Sequence, residues 1–213
     1  MKTALMLPPS ARHDNNAVSG KEVLAMKTTI PIRDMALAAL GAALIAVCSW
    51  VSVPALLPTG VPFTLQTFAV CLLAALFGWK LGLVTVAVYL LLGAVGLPVF
   101  AGFKGGFGAL LGVTGGYLIG FLFTALITGL LSEKISRRFP LLLGWMVLGL
   151  ALCYAFGTAW FVLLYAKNTG PISVATALGW CVLPYLLPDA VKLTLAALLT
   201  GRLYPVMQKG RSQ

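Results

Sequence analysis

The chain has 213 residues, of which 60% are hydrophobic and 9% are charged, and its formal net charge is +10. A soluble domain carries about 25% charged residues, so this composition excludes a water-soluble fold and indicates an all-α, polytopic membrane protein. The positive charge does not indicate nucleic-acid binding, because the basic residues lie at the two ends of the chain and between apolar segments. The four cysteines lie in apolar segments without CxxC spacing and are interpreted as small buried hydrophobic residues.

A polar segment, residues 1–31, precedes the apolar part of the chain. It lacks the basic region, apolar run and small-residue cleavage site that a signal peptide shows in that order. We therefore expect residues 1–31 to be a disordered cytoplasmic extension, residues 32–208 to be a membrane domain, and residues 209–213 to be a cytoplasmic tail. Six apolar segments of the membrane domain are each interpreted as one transmembrane helix: residues 35–53, 65–78, 81–97, 110–131, 141–165 and 177–204.

Glycine and proline mark the interruptions between these predicted helices. Residues 53–64 contain several prolines and a glycine, which predicts a turn-rich loop. Gly78 and Gly82 flank Lys80, the only charge between the second and third apolar segments, and this pattern favours a helical hairpin over one long helix. Residues 98–109 are rich in glycine, and we expect them to be non-helical. Irregular backbone is tolerated at membrane depth where it is buried in protein or lines a cavity.

The basic residues are distributed unequally between the two sides of the six predicted spans. With a cytoplasmic amino terminus, both termini are cytoplasmic, Lys192 lies within the membrane, and only Lys104 and Lys167 lie outside. The remaining basic residues are all cytoplasmic: Lys2, Arg12, Lys21, Lys27, Arg33, Lys80, Lys134, Arg137, Arg138, Arg202, Lys209 and Arg211. This asymmetry obeys the positive-inside rule. It supports six spans, because merging the hairpin into one helix would place residues 134–138 outside.

Two ladders of small residues recur at four-residue spacing. The first, on the first predicted helix, consists of Ala38, Ala42 and Ala46. It forms a smooth face whose partner is either another helix of this chain or another protein. The second ladder, near the start of the fourth helix, consists of Gly108, Gly112, Gly116 and Gly120. We interpret the glycine ladder as a surface for helix packing within the chain, because small residues let two backbones approach closely.

Asp189 is the only acidic residue deep inside an apolar segment, and Lys192 is the only basic residue at that depth. Positions three apart share a helix face, so the two side chains are expected to meet. A charge at bilayer depth costs about 2.5–3.5 kcal/mol on insertion scales, and such residues usually mark a functional site. The alternative is a purely structural ion pair that holds helices together.

Thr64 and Gln66 are further candidates for ligand contacts, at the start of the second predicted helix. Their side chains offer hydrogen-bond donors and acceptors on a surface that is otherwise apolar. The alternative role for Thr64 is a helix N-cap, which is common for threonine. The sequence leaves both interpretations open.

Motifs for catalysis and for cofactor binding are missing from the sequence. It has no GxxxxGK(S/T) phosphate loop for ATP hydrolysis, and the single histidine, His13, lies in the N-terminal extension. It has no HExxH motif or metal-ligand cluster, and no serine has a histidine base within the apolar segments. We therefore expect no catalytic residue, no metal and no cofactor, and we interpret the chain as a protein that is not an enzyme.

Three motifs, in this order, resemble the BioY family of biotin-binding S components of energy-coupling factor (ECF) transporters: VPFTLQT, GLPVFAGFKGGFGALLGVTGGYLIGF and LPDAVK. The resemblance spans residues 32–207. It implies a six-helix, ECF S-component-like fold in the cell membrane that captures biotin from outside. It also implies a transmembrane T component and two cytosolic ATPase subunits as partners, with ATP used by the ATPases alone.

The resemblance implies roles for individual polar residues. Asp189 and Lys192 match the family's polar pair on the last helix, which contacts biotin. Thr64 and Gln66 match first-loop positions that also face the ligand. Lys104 is the only charge in the third loop, where some family members bind the biotin carboxylate, and it is the candidate for that contact here.

The alanine ladder resembles the small-residue motif by which S components dock on the T component. The resemblance therefore implies that Ala38, Ala42 and Ala46 form the docking surface. Two other functions remain as alternatives. One is an S component for another small vitamin, and the other is a non-transport structural membrane protein with a structural Asp189–Lys192 pair.

Overall fold

The computed structural model of the protein describes residues 31–53 and 61–209. The expectations for residues 1–30, for most of the loop 53–64 and for residues 210–213 lie outside the described residues. From Arg33 onward, the described part of the chain belongs to one compact unit built mainly from α-helices. This architecture confirms the all-α prediction.

Eight α-helices, one 3₁₀ turn and one short β-hairpin occur in the described residues. The helices are α1 (Ile32–Trp50), α2 (Gln66–Phe77), α3 (Trp79–Ala94), α4 (Phe107–Leu111), α5 (Gly115–Lys134), α6 (Phe139–Asn168), α7 (Val174–Cys181) and α8 (Leu183–Lys209). The 3₁₀ turn covers Ala101–Phe103. Strands β1 (Ser52–Val53) and β2 (Phe63–Thr64) are antiparallel, with Ser52 opposite Thr64 and Val53 opposite Phe63.

Helix α2 lies at the centre of the packing, where it contacts α3, α5 and α8. All of its residues from Ala69 to Leu76 are buried. A helix that is apolar all round is expected to be surrounded by protein, and α2 fits this rule. The start of α2 is thereby held in a fixed position next to α8, which carries the Asp189–Lys192 pair.

A backbone break at Gly78 separates α2 from α3 and confirms the predicted interruption. Gly78 has a φ of 82°, in the left-handed region that favours glycine. The Glu133 carboxylate of α5 occupies the space that a Cβ atom at this position would need. The same carboxylate accepts a hydrogen bond of 3.3 Å from the backbone N–H of Trp79. Glu133 therefore stabilises the amino terminus of α3, where a negative charge is favourable.

Four helices, α1, α5, α6 and α8, are long and apolar enough to cross a membrane. Helices α2 and α3 are also apolar but contain 12 and 16 residues, fewer than the about 20 that one crossing usually needs. The four long apolar helices indicate a multi-pass membrane protein. The count of six spans stays a prediction.

The glycine ladder does not lie on one helix. Gly116 and Gly120 lie on α5, and a Cβ atom at either position would collide with a residue of α6. Gly108 lies on α4 beside open space, and Gly112 ends α4 in extended backbone with a ψ of 175°. Packing within the chain is thus confirmed for the second half of the ladder. The single helix predicted over residues 110–131 is wrong at its start.

The last predicted span, residues 177–204, contains two helices. Helix α7 ends at Cys181 and α8 begins at Leu183. Pro184 favours this break, because proline has no backbone N–H and inside a helix it clashes with the carbonyl four residues earlier. The stretch predicted as non-helical, residues 98–109, contains the 3₁₀ turn and the first turn of α4, so that prediction is wrong in part.

Candidate functional site

A cavity of about 420 Å³ lies between the β-hairpin, the loop after α3, and helices α2, α5, α6 and α8. Its volume falls within the about 300–1,000 Å³ that is typical of small-molecule sites. All five residues predicted to contact a ligand line this cavity: Thr64, Gln66, Lys104, Asp189 and Lys192. The fold thus brings together residues from three distant parts of the chain, and their role in binding stays a prediction.

Asp189 and Lys192 form an ion pair on one face of α8. Lys192 Nζ lies 2.7 Å from Asp189 Oδ1, and only 4% of Asp189 and 6% of Lys192 is exposed. The three-residue helical spacing produces this contact, as the sequence predicts. Two charges buried this deeply need further polar partners, because their desolvation can otherwise outweigh their attraction.

Asp189 receives hydrogen bonds from two other helices. Thr67 Oγ1 of α2 donates to Asp189 Oδ1 at 3.1 Å, and the Tyr154 hydroxyl of α6 donates to Asp189 Oδ2. An ionised carboxylate has about four acceptor positions. With Lys192 as the third donor, about one position remains on Oδ2 for a ligand. The carboxylate is therefore oriented from three sides before any ligand enters.

The Lys192 ammonium group is held by the β-hairpin. Its Nζ donates to the backbone carbonyl of Thr64 at 2.6 Å and lies 3.8 Å from the centroid of the Phe63 ring, a cation–π contact. Phe63 stacks on Tyr185 of α8 with 6.2 Å between the ring centroids. The Tyr185 hydroxyl donates to the Val61 carbonyl at 2.6 Å. The hairpin and α8 are thus joined around the ion pair.

Thr64 and Gln66 contact each other where β2 passes into α2. The Thr64 hydroxyl donates to Gln66 Oε1 at 2.9 Å and accepts from the Gln66 backbone N–H at 3.3 Å. The second bond satisfies one of the free N–H groups at the start of α2, but Leu65 is the N-cap residue and no side chain caps the helix there. Gln66 Nε2 also donates to the Tyr89 hydroxyl of α3 at 2.5 Å. Thr64 therefore lies in the cavity wall but is not the N-cap residue of α2.

The rest of the wall is mainly apolar. Side chains of α5 and α6 supply it, among them Leu118, Phe121 and Leu150. Lys104 lines the cavity from the loop after α3 and is exposed, which places it on the solvent side. Apart from the ion pair, it is the only charged residue among the described residues of the wall. The cavity therefore combines a polar end, an apolar body and a cationic entrance.

The four cysteines, Cys48, Cys71, Cys153 and Cys181, are free and buried. This confirms their interpretation as small buried hydrophobic residues. Two of them, Cys153 and Cys181, line the cavity. In the part of the chain that the structure describes, no group of three or more His, Cys, Asp or Glu side chains is arranged to hold a metal ion.

Two residues that contact Asp189 were missed by the reasoning from sequence. Thr67 lies in the VPFTLQT motif three positions after Thr64. Its place in the motif directly after Gln66 was a usable signal. Tyr154 lies in a long apolar helix without a polar neighbour in sequence. Only the packing of α6 against α8 reveals its contact with the ion pair.

The alanine ladder predicted as a docking surface faces the interior of the chain. Ala38, Ala42 and Ala46 are only 3%, 1% and 6% exposed. Ala39 and Ala43, one position further along α1, are exposed. The structure therefore contradicts docking through the predicted ladder. The physical reason is that four-residue spacing marks a stripe along a helix without saying whether its partner is inside or outside the chain.

The family model described as "BioY family" matches residues 22–209. A protein of Thermotoga maritima named "Biotin transporter BioY" is 46% identical over 172 residues, which cover 81% of this chain and 96% of the relative. A "Probable biotin transporter BioY" of Pyrococcus horikoshii is 39% identical over 143 residues, covering 67% of this chain and 80% of the relative.

A solved structure also resembles the fold. It is the crystal structure of the S-component for biotin from an ECF-type ABC transporter, which superposes with a TM-score of 0.73 at 27% sequence identity. The match covers 84% of this chain and 94% of that chain. The similarity therefore extends over most of both chains.

Proposed function

The chain belongs to the BioY family, and from that membership we propose that it captures biotin for uptake across the cytoplasmic membrane. In this role it is the substrate-binding S component of an ATP-driven ECF transporter, and it is not an enzyme. The relatives are named for biotin transport and the solved neighbour for biotin. The observation in this chain that carries the proposal is the buried Asp189–Lys192 pair in the wall of a cavity of small-molecule size.

The chemistry of biotin matches the order of groups along the cavity. Its ureido ring has two N–H donors and one carbonyl acceptor, its bicyclic body is largely apolar, and its tail ends in a carboxylate. In the proposed complex, Asp189 Oδ2 accepts from a ureido N–H and Lys192 donates to the ureido carbonyl. Thr64 and Gln66 complete the polar end, and Lys104 faces the carboxylate. Each charge-assisted hydrogen bond contributes about 1.5–3 kcal/mol.

The cavity opens to the external side in this proposal, and both termini are cytoplasmic. Arg137, between α5 and α6, donates to the Ala75 carbonyl near the end of α2 at 3.1 Å and to the Tyr204 hydroxyl of α8 at 2.8 Å. The basic residues within 134–138 thus lie at the ends of α2 and α8 that are remote from the cavity. Basic residues of membrane proteins concentrate on the cytoplasmic side, which supports this orientation.

Partner proteins supply the energy in the proposed transporter, because the sequence contains no phosphate-binding loop. They are a transmembrane T component and two cytosolic ATPase subunits. We place the docking surface on the exposed face of α1 that carries Ala39 and Ala43. Small residues on a lipid-exposed face allow a second helix to approach closely. This surface replaces the buried ladder of Ala38, Ala42 and Ala46.

The proposal is tested by identifying the small molecules that co-purify with the protein and by measuring equilibrium binding of tritiated biotin. We expect mass spectrometry of the denatured protein to detect biotin. We also expect tight binding, since a ligand whose polar groups are all paired can reach a free energy of about −12 kcal/mol. Recovery of another vitamin, without biotin binding, would favour an S component for that vitamin. Folded protein that binds no vitamin would favour a structural membrane protein.

A further inference from the structure

A series of hydrogen-bonded residues leads from the ion pair to the loop after α3. Lys192 donates to the Thr64 carbonyl, the Thr64 hydroxyl donates to Gln66, and Gln66 Nε2 donates to the Tyr89 hydroxyl. The Tyr89 hydroxyl then donates to the carbonyl of Val99 at 3.1 Å. A tyrosine hydroxyl can accept one bond while it donates another. Tyr89 is therefore the link between the polar end of the cavity and the chain around Val99.

Tyr89 supports the cavity wall from behind. It is completely buried and lies on α3, while its neighbours Gln66 and Phe100 line the cavity. The Tyr89 and Phe100 rings meet edge to face with 5.5 Å between their centroids. A ligand in the cavity would contact these two neighbours, and the Tyr89 hydroxyl would act on the ligand only through them. Residues in such positions fix the orientation of the groups that bind.

The residues from 98 to 106, here called the cavity loop, carry Lys104. The Phe100 ring occupies the space that a Cβ atom at Gly93 would need, and the Gly106 N–H donates to the Gly93 carbonyl at 2.6 Å. The Phe100 N–H donates to the Lys104 carbonyl at 2.9 Å. Movement of Phe100 would therefore displace Lys104 from the cavity.

Helices α1 and α3 both hold the cavity loop through the Val99 carbonyl. This carbonyl accepts from Ser49 of α1 at 2.5 Å and from Tyr89 of α3. On the basis of the proposed function, we infer that Tyr89 is a positioning residue for biotin binding. Through Val99 it holds the cavity loop and Lys104 against the cavity, and this slows the release of biotin.

The test is the dissociation rate of tritiated biotin from Tyr89→Phe, measured by chase with unlabelled biotin in lipid nanodiscs. The substitution keeps the ring but leaves Gln66 Nε2 without its partner and Val99 with Ser49 alone. We expect dissociation to accelerate about 2- to 12-fold, the range of one net hydrogen bond, while the association rate changes little. Amide hydrogen exchange in the cavity loop should accelerate as well.

Thr85→Val is the matched control on the same helix. Thr85 is completely buried, and its hydroxyl donates within its own helix, to the Leu81 carbonyl at 2.7 Å. The control removes a buried hydroxyl from α3 without touching the series of hydrogen-bonded residues. We expect the dissociation rate of biotin from this variant to equal that from the wild type.

A double-mutant cycle separates positioning from general destabilisation. If Tyr89 acts through the cavity loop, Lys104→Met should accelerate dissociation less in the Tyr89→Phe background than in the wild type. Independent effects of the two substitutions would overturn the inference. So would an unchanged dissociation rate in Tyr89→Phe, or an equal acceleration in Thr85→Val.

If Tyr89→Phe does not fold, Ser49→Ala applies the same test to the other donor at Val99. Faster biotin release together with faster exchange in the cavity loop would support the inference, and unchanged values of both would overturn it. Failure of the wild-type protein to bind biotin is a separate outcome, which would reject the proposed function itself.

Discussion

The Tyr154 hydroxyl on α6 donates a hydrogen bond to Oδ2 of Asp189 on α8. The other carboxylate oxygen, Oδ1, accepts from Lys192 and Thr67. The carboxylate is therefore oriented by three elements, and its spare acceptor position lies on the oxygen that Tyr154 contacts. Tyr154 thus controls how much of Asp189 remains available to a ligand.

Tyr154→Phe should weaken biotin binding, because the carboxylate loses one of the groups that orient it. It should also raise the affinity for 2-iminobiotin relative to biotin, since the freed oxygen can accept from a cationic guanidinium group. Competition against tritiated biotin measures both affinities. Tyr165→Phe, on the same helix but outside the cavity wall, is the control. If both affinities and their ratio match the wild type, Tyr154 has no role in ligand recognition.

Asp189→Asn keeps the size of the side chain and one acceptor but removes its charge. We expect biotin affinity to fall by about 1–3 kcal/mol, or roughly 5- to 150-fold, through loss of a charge-assisted hydrogen bond. Thermal stability should fall as well, because Lys192 is left buried without its counter-ion. Binding isotherms and thermal unfolding in detergent measure the two effects.

Glu133→Gln is the control for Asp189→Asn. It removes an exposed carboxylate at the end of α5 that lies outside the cavity wall, so the biotin affinity should not change. If the folded fraction of Asp189→Asn binds biotin as tightly as the wild type does, Asp189 is structural and its assignment to the ligand site is wrong.

Ala43→Trp should abolish ATP-driven biotin uptake while leaving biotin binding intact, since the bulky ring obstructs a helix that approaches the exposed face of α1. Ala42→Trp should instead reduce the yield of folded protein, because Ala42 is 1% exposed inside the chain and overpacking is destabilising. Uptake is measured in cells that contain the partner subunits, and binding is measured on purified protein. Wild-type uptake by Ala43→Trp would show that the docking surface lies elsewhere.

Cysteine labelling in intact cells tests the orientation in the membrane. In a background without the four buried native cysteines, Lys104→Cys should react with an impermeant thiol reagent and Arg138→Cys should not. This follows from placing the basic end of the helices in the cytoplasm. The reverse labelling pattern would invert the proposed topology.

Local spacing explains which features could be predicted from the sequence. The contact between Asp189 and Lys192 follows from their three-residue separation on a helix, and the break at Gly78 follows from glycine beside a lone charge. The hydrogen bond from Tyr154 could not be predicted, because it depends on how α6 packs against α8. The same reason explains the error on α1, where spacing defined a stripe but tertiary packing decided that Ala42 is buried and Ala43 is exposed.

The most direct test of ligand contact at the ion pair is the biotin dissociation constant of the double variant Asp189→Asn/Lys192→Met. Removing both charges leaves neither one buried without a partner, so the fold should survive with a thermal midpoint close to that of the wild type. We predict a folded double variant whose biotin affinity is reduced at least as much as that of Asp189→Asn alone. A folded double variant with the wild-type dissociation constant would contradict the assignment of the pair to biotin.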